Sequence, residues 1–435
     1  MVDIAEIRIW DQLVGAVRWD ENQQLTEFQY DKDFLAHGWD LSPLKMPLRN
    51  GTRVYRFPEL RKRKDGAFDT FKGLPGLLAD SLPDRYGNQL INIWLAKNGR
   101  PANSMNPVEQ LCFMGSRAMG ALIFEPAYPQ AAQQPFVLEI ASLVEVAQKL
   151  LLQKESFHTN LNGNEQHALQ QILKIGTSAG GARPKAVITY NPTTGDVKSG
   201  QGISPDGYEQ WLIKLDGVSD AQFGQSTGWG RVEYAYYLMA IDAGIEMTNC
   251  SLLEENGRAH FMTKRFDRAP HNTRHHIQTL CGMQHYDYND MFAFSYEQLF
   301  QTMRMLRLSY PEAEQMFRRM VFNVLATNCD DHTKNFAFRL QMDGRWELTP
   351  AYDVCYAYNP DNLWVKQQTL SINGKNSNIS KKDLMSIALA NNIKNGERII
   401  DDINLVVKNW GHYAALAMVN IELKKVIQDN LKIMR

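Results

Sequence analysis

A chain of 435 residues, 44% of them hydrophobic and 22% charged, has the composition of a folded globular protein, which excludes a disordered or fibrous one. Its formal net charge of −1 supplies no global attraction to nucleic acid or to an anionic membrane. The five cysteines, at 112, 250, 281, 329 and 355, contain no C-x-x-C pair, which argues against a disulfide framework and a zinc site and fits a reducing cytoplasm.

In chain order, acidic residues within Met1–Glu6 interrupt any signal-peptide core. No later window reaches the roughly 18 uninterrupted apolar residues of a membrane span, so a cytoplasmic chain without membrane contact is expected. Residues 1–130 read as a small α/β unit. Ile7–Trp10 and Val14–Trp19 predict two strands around a turn at Asp11–Leu13, and Phe28 and Tyr30 mark a third. Leu74 to Lys97 has helical spacing broken by Pro83, which predicts two helices in series. Met119–Phe124 predicts a closing strand, and Pro126 to Pro135 has the composition of a linker. The basic runs Arg61–Lys64 and Lys381-Lys382 read as solvated surface. Nothing in this first unit carries evident chemistry.

Residues 131–267 form the second expected region. Residues 136–175 are mostly helical by periodicity and lead to Gly176-Thr-Ser-Ala-Gly-Gly-Ala-Arg-Pro-Lys185, then to a strand at Ala186–Tyr190. Glycines let backbone N–H groups approach phosphate oxygens closely, although such a loop can equally be a plain turn. Lys214 lies in the apolar strand Glu209–Leu215, where it either reaches phosphates or points to solvent from an edge. Glu233, near the start of a helix over 231–243, can pair with Lys214 or act as an ordinary first-turn acid favoured by the helix dipole. Asn256-Gly257 between alternating runs predicts a type I′ hairpin. The stretch after it, Lys264, Arg265 and Phe266, stands where a kinase hinge presents backbone to adenine.

Residues 268–435 are predominantly helical. Helices are predicted over 296–306 and from Pro311 through Leu325, then a hairpin with a second type I′ turn at Asp343-Gly344. Asp330, Asn335 five residues later and Asp353 beyond that hairpin form a phosphoryl-transfer constellation. Asp330 accepts the proton of the attacking hydroxyl, while Asn335 and Asp353 hold Mg2+ against the phosphates of ATP. Asp331 is a second carboxylate beside the first, but only Asp330 has the five-residue spacing to Asn335. Thr369–Lys375 predicts a strand and turn, and Ser380 with Asp383 a capping-box helix start.

Together Ser178-Ala-Gly-Gly-Ala-Arg-Pro-Lys185, Ile213-Lys214-Leu215, Arg265-Phe-Asp-Arg268, Asp330-Asp-His-Thr-Lys-Asn-Phe336, Leu348-Thr-Pro-Ala-Tyr-Asp353 and Asn373-Gly-Lys375 resemble the HipA family of bacterial serine/threonine kinases, the toxins of HipA–HipB modules. The resemblance implies an α+β, protein-kinase-like two-lobed fold: an N-terminal HipA-type subdomain over 1–130, an N-lobe-like region over 131–267 and a helical C-lobe over 268–435. It implies Asp330 as catalytic base, Asn335 and Asp353 as Mg2+ ligands, and ATP contacts from Gly180, Gly181, Ala182, Arg183, Lys185, Lys214, His332, Lys334 and Tyr352. Ser178 occupies the family's autophosphorylated position, where roughly −2 of added charge would oppose nucleotide binding. Pro184 removes one N–H donor from that loop. The resemblance further implies growth arrest or persistence as the outcome and a HipB-like DNA-binding antitoxin as partner, reaching operator DNA through that antitoxin. Its protein substrate would be glutamyl-tRNA synthetase or another aminoacyl-tRNA synthetase. Two other readings of the residues are a co-repressor acting mainly through its antitoxin and a small-molecule or lipid phosphotransferase, since a metal site does not name its acceptor.

Overall fold

Alternation of apolar residues builds the first sheet of the computed structural model, which describes residues 2–61, 69–127, 135–152, 169, 171–172, 175–176, 183–218 and 227–434. Strands β1 (Ile4–Ile9), β2 (Gln12–Asp20) and β3 (Leu25–Tyr30) pair antiparallel, and β4 (Ile123–Glu125) joins the other edge of β1. Ile7, Ile9, Val14, Val17 and Phe28 fill the inner face. The first turn falls on Trp10 and Asp11, with φ of 46° and 62°, slightly earlier than expected. Positive φ at both central residues gives the twist a two-residue hairpin needs, so Gln12 and Leu13 belong to β2. The closing strand is shorter than the predicted 119–124. The carbonyls of Gly120 and Leu122 instead accept bonds from Arg268 and Arg274.

Pro83 separates helices α1 (Gly76–Ala79) and α2 (Arg85–Lys97) as predicted, and the Asp84 carboxylate caps α2 by accepting the Gly87 N–H at 2.7 Å. Helix α3 (Pro107–Met114) is buried throughout against the first sheet. Helix α4 (Ile140–Leu152) covers the described start of the predicted 136–175 helical stretch.

The second sheet has the order β6-β5-β7-β9-β8, from β5 (Lys185–Tyr190), β6 (Val197–Ser199), β7 (Glu209–Lys214), β8 (Cys250–Glu255) and β9 (Arg258–Lys264). Asn256 and Gly257 take φ of 46° and 77°, the type I′ geometry expected of them. Helix α5 (Trp229–Asp242) lies against this sheet. A Cβ on Gly230 would sit 2.0 Å from the Ala259 carbonyl oxygen, so only glycine allows the approach.

The third sheet consists of β10 (His276–Thr279), β11 (Ala337–Leu340) and β12 (Trp346–Leu348). Around it lie α6 (Leu280–Gln284), α7 (Tyr296–Met305), α8 (Tyr310–Leu325), α9 (Lys381–Ala390), α10 (Gly396–Lys408), α11 (Trp410–Leu416) and α12 (Ile421–Asn430). The β11–β12 turn is not type I′. Only Gly344 of the pair has a positive φ, 85°, and its N–H bonds the Gln341 carbonyl, the pattern of a type I turn followed by a left-handed glycine. Of the strand and turn predicted over 369–375, the turn forms at Asn373-Gly374, with φ of 51° and 72°. The strand is reduced to isolated bridges, because the Asp331 carboxylate captures the Thr369 N–H.

Two apolar cores result. One runs from β1–β4 and α1–α3 into β5 and β7, joining Phe28, Leu90 and Phe124 to Ile188 and Ile213. The other joins α5 to the C-terminal helices, with Tyr236, Phe317, Phe322 and Trp410 at its centre. The candidate site lies where the second sheet meets this helical lobe. Among the described residues, no helix is long and apolar enough to cross a membrane.

Candidate active site

Helix α8 ends at Leu325 and delivers the chain to a short loop tied by bridges from Asn328 to Ala357 and from Ala351 to Met247. These bridges bring the 330–335 loop and the segment bearing Asp353 side by side. Within the loop the Asn335 side-chain amide donates to the Asp330 carbonyl oxygen at 2.7 Å. That bond commits the nitrogen and leaves the amide oxygen as an acceptor, the kind of hard donor that Mg2+ prefers. Asp330 keeps 46% of its side-chain surface, and His332 Nε2 stands 3.8 Å from its Oδ1. Desolvation at the floor of the cleft raises the Asp330 pKa and Asp353 adds to the rise, while His332 opposes it.

Asp331 has a different environment. It is buried, accepting the Tyr296 hydroxyl at 2.8 Å and the Thr369 N–H at 2.6 Å. Both Asp331 oxygens are engaged in holding the loop, whereas Asp330 is the more exposed of the two adjacent carboxylates.

Lys214 extends from β7 between two carboxylates. Its ammonium donates to Glu233 Oε1 at 2.5 Å and to Asp353 Oδ1. Burial alone would lower the Lys214 pKa, but Asp353 and Glu233 reverse that and hold it above the ordinary value. Burial would likewise raise Asp353, yet Lys214 and Lys185 pull it well below the usual carboxylate range. Glu233 is therefore the partner of Lys214, and of its two sequence readings the first-turn acid gives way. Helix α5 begins at Trp229, which places Glu233 beyond its first turn. Asp353 has φ of 56°, a left-handed conformation that Asp tolerates better than most residues.

The remaining candidates spread around this centre. Tyr352 donates its hydroxyl to the Lys334 carbonyl at 2.7 Å, and its ring lies 5.5 Å from that of Phe266. Lys334 places its ammonium 4.8 Å from the Tyr288 ring centroid, and Arg183 places its guanidinium 4.9 Å from that of Trp229. His332 packs against Tyr288, and its buried Nδ1 has no hydrogen-bond partner among the described residues. At the predicted hinge, the Lys264 N–H bonds the Asn249 carbonyl, its own carbonyl accepts from Thr248 and its ammonium pairs with Glu209 at 2.6 Å. An adenine contact from the Lys264 backbone would compete with those bonds. The Arg265 side chain is buried against Asp267 and its backbone N–H bonds the Gln210 carbonyl at 2.9 Å, so an adenine contact from that N–H would compete as well. Ser178, Gly180, Gly181 and Ala182 lie outside the described residues.

Lys185, directly across from Lys214 in the β5–β7 register, is 3.7 Å from Asp84 of the N-terminal unit. Sequence reasoning passed over Asp84 because an Asp before a helix reads as an ordinary cap, and nothing local distinguishes it.

A family model described as the HipA N-terminal domain matches residues 5–125, and one described as the HipA-like C-terminal domain matches 177–410. Among solved structures, the Shewanella oneidensis MR-1 toxin–antitoxin complex of HipA, HipB and operator DNA contains a similar chain. It aligns over 98% of this chain and 94% of that one, with 16% identity and a TM-score of 0.64. The Helicobacter pylori proinflammatory kinase CtkA aligns over 52% of this chain and 91% of that one, with 12% identity and a TM-score of 0.34. No curated protein matches. The fold is the expected α+β one, shared with the HipA chain of the Shewanella complex.

Proposed function

The chain belongs to the HipA family, and from that premise we propose that it is an ATP- and Mg2+-dependent serine/threonine protein kinase acting as a toxin. The observation that carries this reading is the convergence of Lys214, held by Glu233 and Asp353, with a loop whose Asn335 is locked onto the Asp330 backbone. The donors present fit the metal, since Asn335 and Asp353 offer oxygens of the type Mg2+ takes. When bound, Mg2+ would neutralise phosphate charge and align the γ-phosphoryl group for in-line transfer. Asp330, the most exposed of the clustered carboxylates, orients the acceptor hydroxyl and takes its proton. Lys214 shifts from Asp353 towards phosphate oxygens while Glu233 keeps hold of it. Phe266 and Tyr352 supply an aromatic wall suited to adenine.

With purified protein and γ-labelled ATP, Asp330→Ala is expected to lower transfer by at least about 100-fold, the scale of a lost general base. A variant as fast as wild type would overturn the assignment. Mass spectrometry of the same reaction is expected to find phosphate on Ser178 in the wild type and not in the variant. Acceptors among aminoacyl-tRNA synthetases, glutamyl-tRNA synthetase included, would appear as phosphopeptides absent from cells expressing Asp330→Ala. We also propose assembly with a HipB-like antitoxin on operator DNA, supported by the fold shared with the Shewanella chain. At a net charge of −1, this chain should shift operator DNA only when the antitoxin is present. A salt-sensitive shift by the chain alone would contradict that.

A further inference from the structure

The N-terminal unit reaches the candidate active site at the start of α2. Asp84 divides its carboxylate between two tasks: Oδ1 accepts the Gly87 N–H at 2.7 Å and caps the helix, while Oδ2 faces the Lys185 ammonium at 3.7 Å. Both side chains are buried, with 9% of Asp84 and 3% of Lys185 exposed, and among the described residues Oδ2 has no hydrogen-bond partner closer than that ion-pair contact. Lys185 is the cross-strand neighbour of Lys214. Directly opposite like charges repel, so two ammonium groups on one face of β5 and β7 require anionic compensation.

Glu233 and Asp353 compensate Lys214. Lys185, on which Asp353 and Glu233 also act, faces in Asp84 a carboxylate from another unit of the fold. Burial raises the Asp84 pKa, to about 6, with Lys185 and Lys334 opposing the rise, so Asp84 is mostly charged at neutral pH. The same helix also packs on the other end of the segment that leads into β5. A Cβ on Gly176 would lie 2.8 Å from Leu90 Cδ1 and 3.3 Å from Tyr86 Cε1. Helix α2 thus contacts the chain at both Gly176 and Lys185.

We propose that Asp84 is a positioning residue of the kinase site, holding Lys185 beside Lys214 so that both ammonium groups face the nucleotide phosphates. The inference rests on the kinase reading above. It makes the N-terminal unit part of the phosphate-binding apparatus instead of a separate module.

Asp84→Asn separates this role from capping, because Asn is as good an N-cap as Asp while the charge opposite Lys185 disappears. With the full chain, Asp84→Asn is expected to raise the ATP KM about tenfold, to change kcat far less, and to leave the thermal midpoint near that of wild type. In a Lys185→Met background the same substitution should have no further effect on KM, since Asp84 acts through Lys185. An Asp84→Asn enzyme with unchanged ATP KM overturns the inference, as does an equal KM effect with and without Lys185. If the wild type itself neither binds MgATP nor transfers phosphate, the kinase reading fails and takes the inference with it, an outcome distinct from an active wild type whose Asp84→Asn variant behaves identically.

Discussion

Asp330 and Asp331 show how much one position decides. Both are carboxylates at the end of α8, yet Asp330 keeps 46% of its side-chain surface while Asp331 is buried between Tyr296 and the Thr369 N–H. Burial pushes the Asp331 pKa up to about 7, against the pull of its hydrogen bonds. An unfolded aspartate titrates near 3.9, so between pH 4 and 7 the unfolded chain loses a proton that the folded one retains. Stability contributed by this group is therefore present below about pH 4 and is lost as pH rises towards about 7, by a few kcal/mol at most. Asp331→Asn keeps the shape without the titration. In urea denaturation from pH 4.5 to 8, wild type should lose stability relative to Asp331→Asn as pH rises, and parallel profiles would show that Asp331 is ionised throughout. Spacing to Asn335 singles out Asp330 in the sequence, and its greater exposure is consistent with that choice. Glu233 and Asp84 were not legible in the same way, because their roles depend on partners 19 residues away in one case and in a different structural unit in the other. Helix-start chemistry accounts for Asp84 locally, whereas Glu233 only looks like a first-turn acid in the sequence, since α5 begins at Trp229. Tertiary packing supplies the partner in both cases.

Elements were legible where a local signal fixes backbone geometry. Pro83 split two helices and Asn256-Gly257 closed a hairpin, each through dihedral preferences carried by the residues themselves. Asp343-Gly344 offers a similar dipeptide but takes a different turn, since the extra residues from Gln341 to Arg345 let glycine alone adopt the left-handed conformation. The short β4 and the strand expected before the turn at Asn373-Gly374 were misjudged for a tertiary reason. Arginine side chains in one case and the Asp331 carboxylate in the other take backbone groups that a strand would have used. The contact between α1 and α6 was likewise hidden. A Cβ on Gly76 would lie 2.0 Å from the Gly282 carbonyl oxygen, and the Gly76 N–H donates to His285 Nε2 at 3.0 Å. Intrinsic propensity favours alanine over glycine in a helix, so Gly76→Ala should be harmless or stabilising unless this backbone approach matters. The expected result is a loss of about 1–3 kcal/mol, the scale of overpacking a tight contact. Urea midpoints would measure it, and a gain in stability would show that α1 and α6 can move apart freely.

At the scale of the whole molecule, the sequence suggests a division near residue 130 that the apolar core does not respect. Phe28, Leu90 and Phe124 share one continuous core with Ile188 and Ile213. A charged hub reinforces this union. Asp267, fully buried, accepts from Arg265 at 2.9 Å, from Arg268 at 2.7 Å and from the Gly120 N–H at 2.8 Å, while Arg268 and Arg274 bond the Gly120 carbonyl. Burial would raise the Asp267 pKa, but Arg265 and Arg268 hold it far below the usual range. Asp267→Asn would leave buried guanidinium groups without their shared anion, which costs about 3–5 kcal/mol when a buried pair is broken from one side. Because the hub joins the first sheet to the segment after β9, that loss should be felt in both. Hydrogen exchange followed by mass spectrometry is expected to show β1–β2 and β5–β7 peptides losing protection together in Asp267→Asn, with similar reductions in opening free energy. Such coupling is the signature of one cooperative unit. If β1–β2 alone lost protection while β5–β7 kept wild-type exchange, the shared core would not be what binds the N-terminal unit to the lobe bearing Lys214.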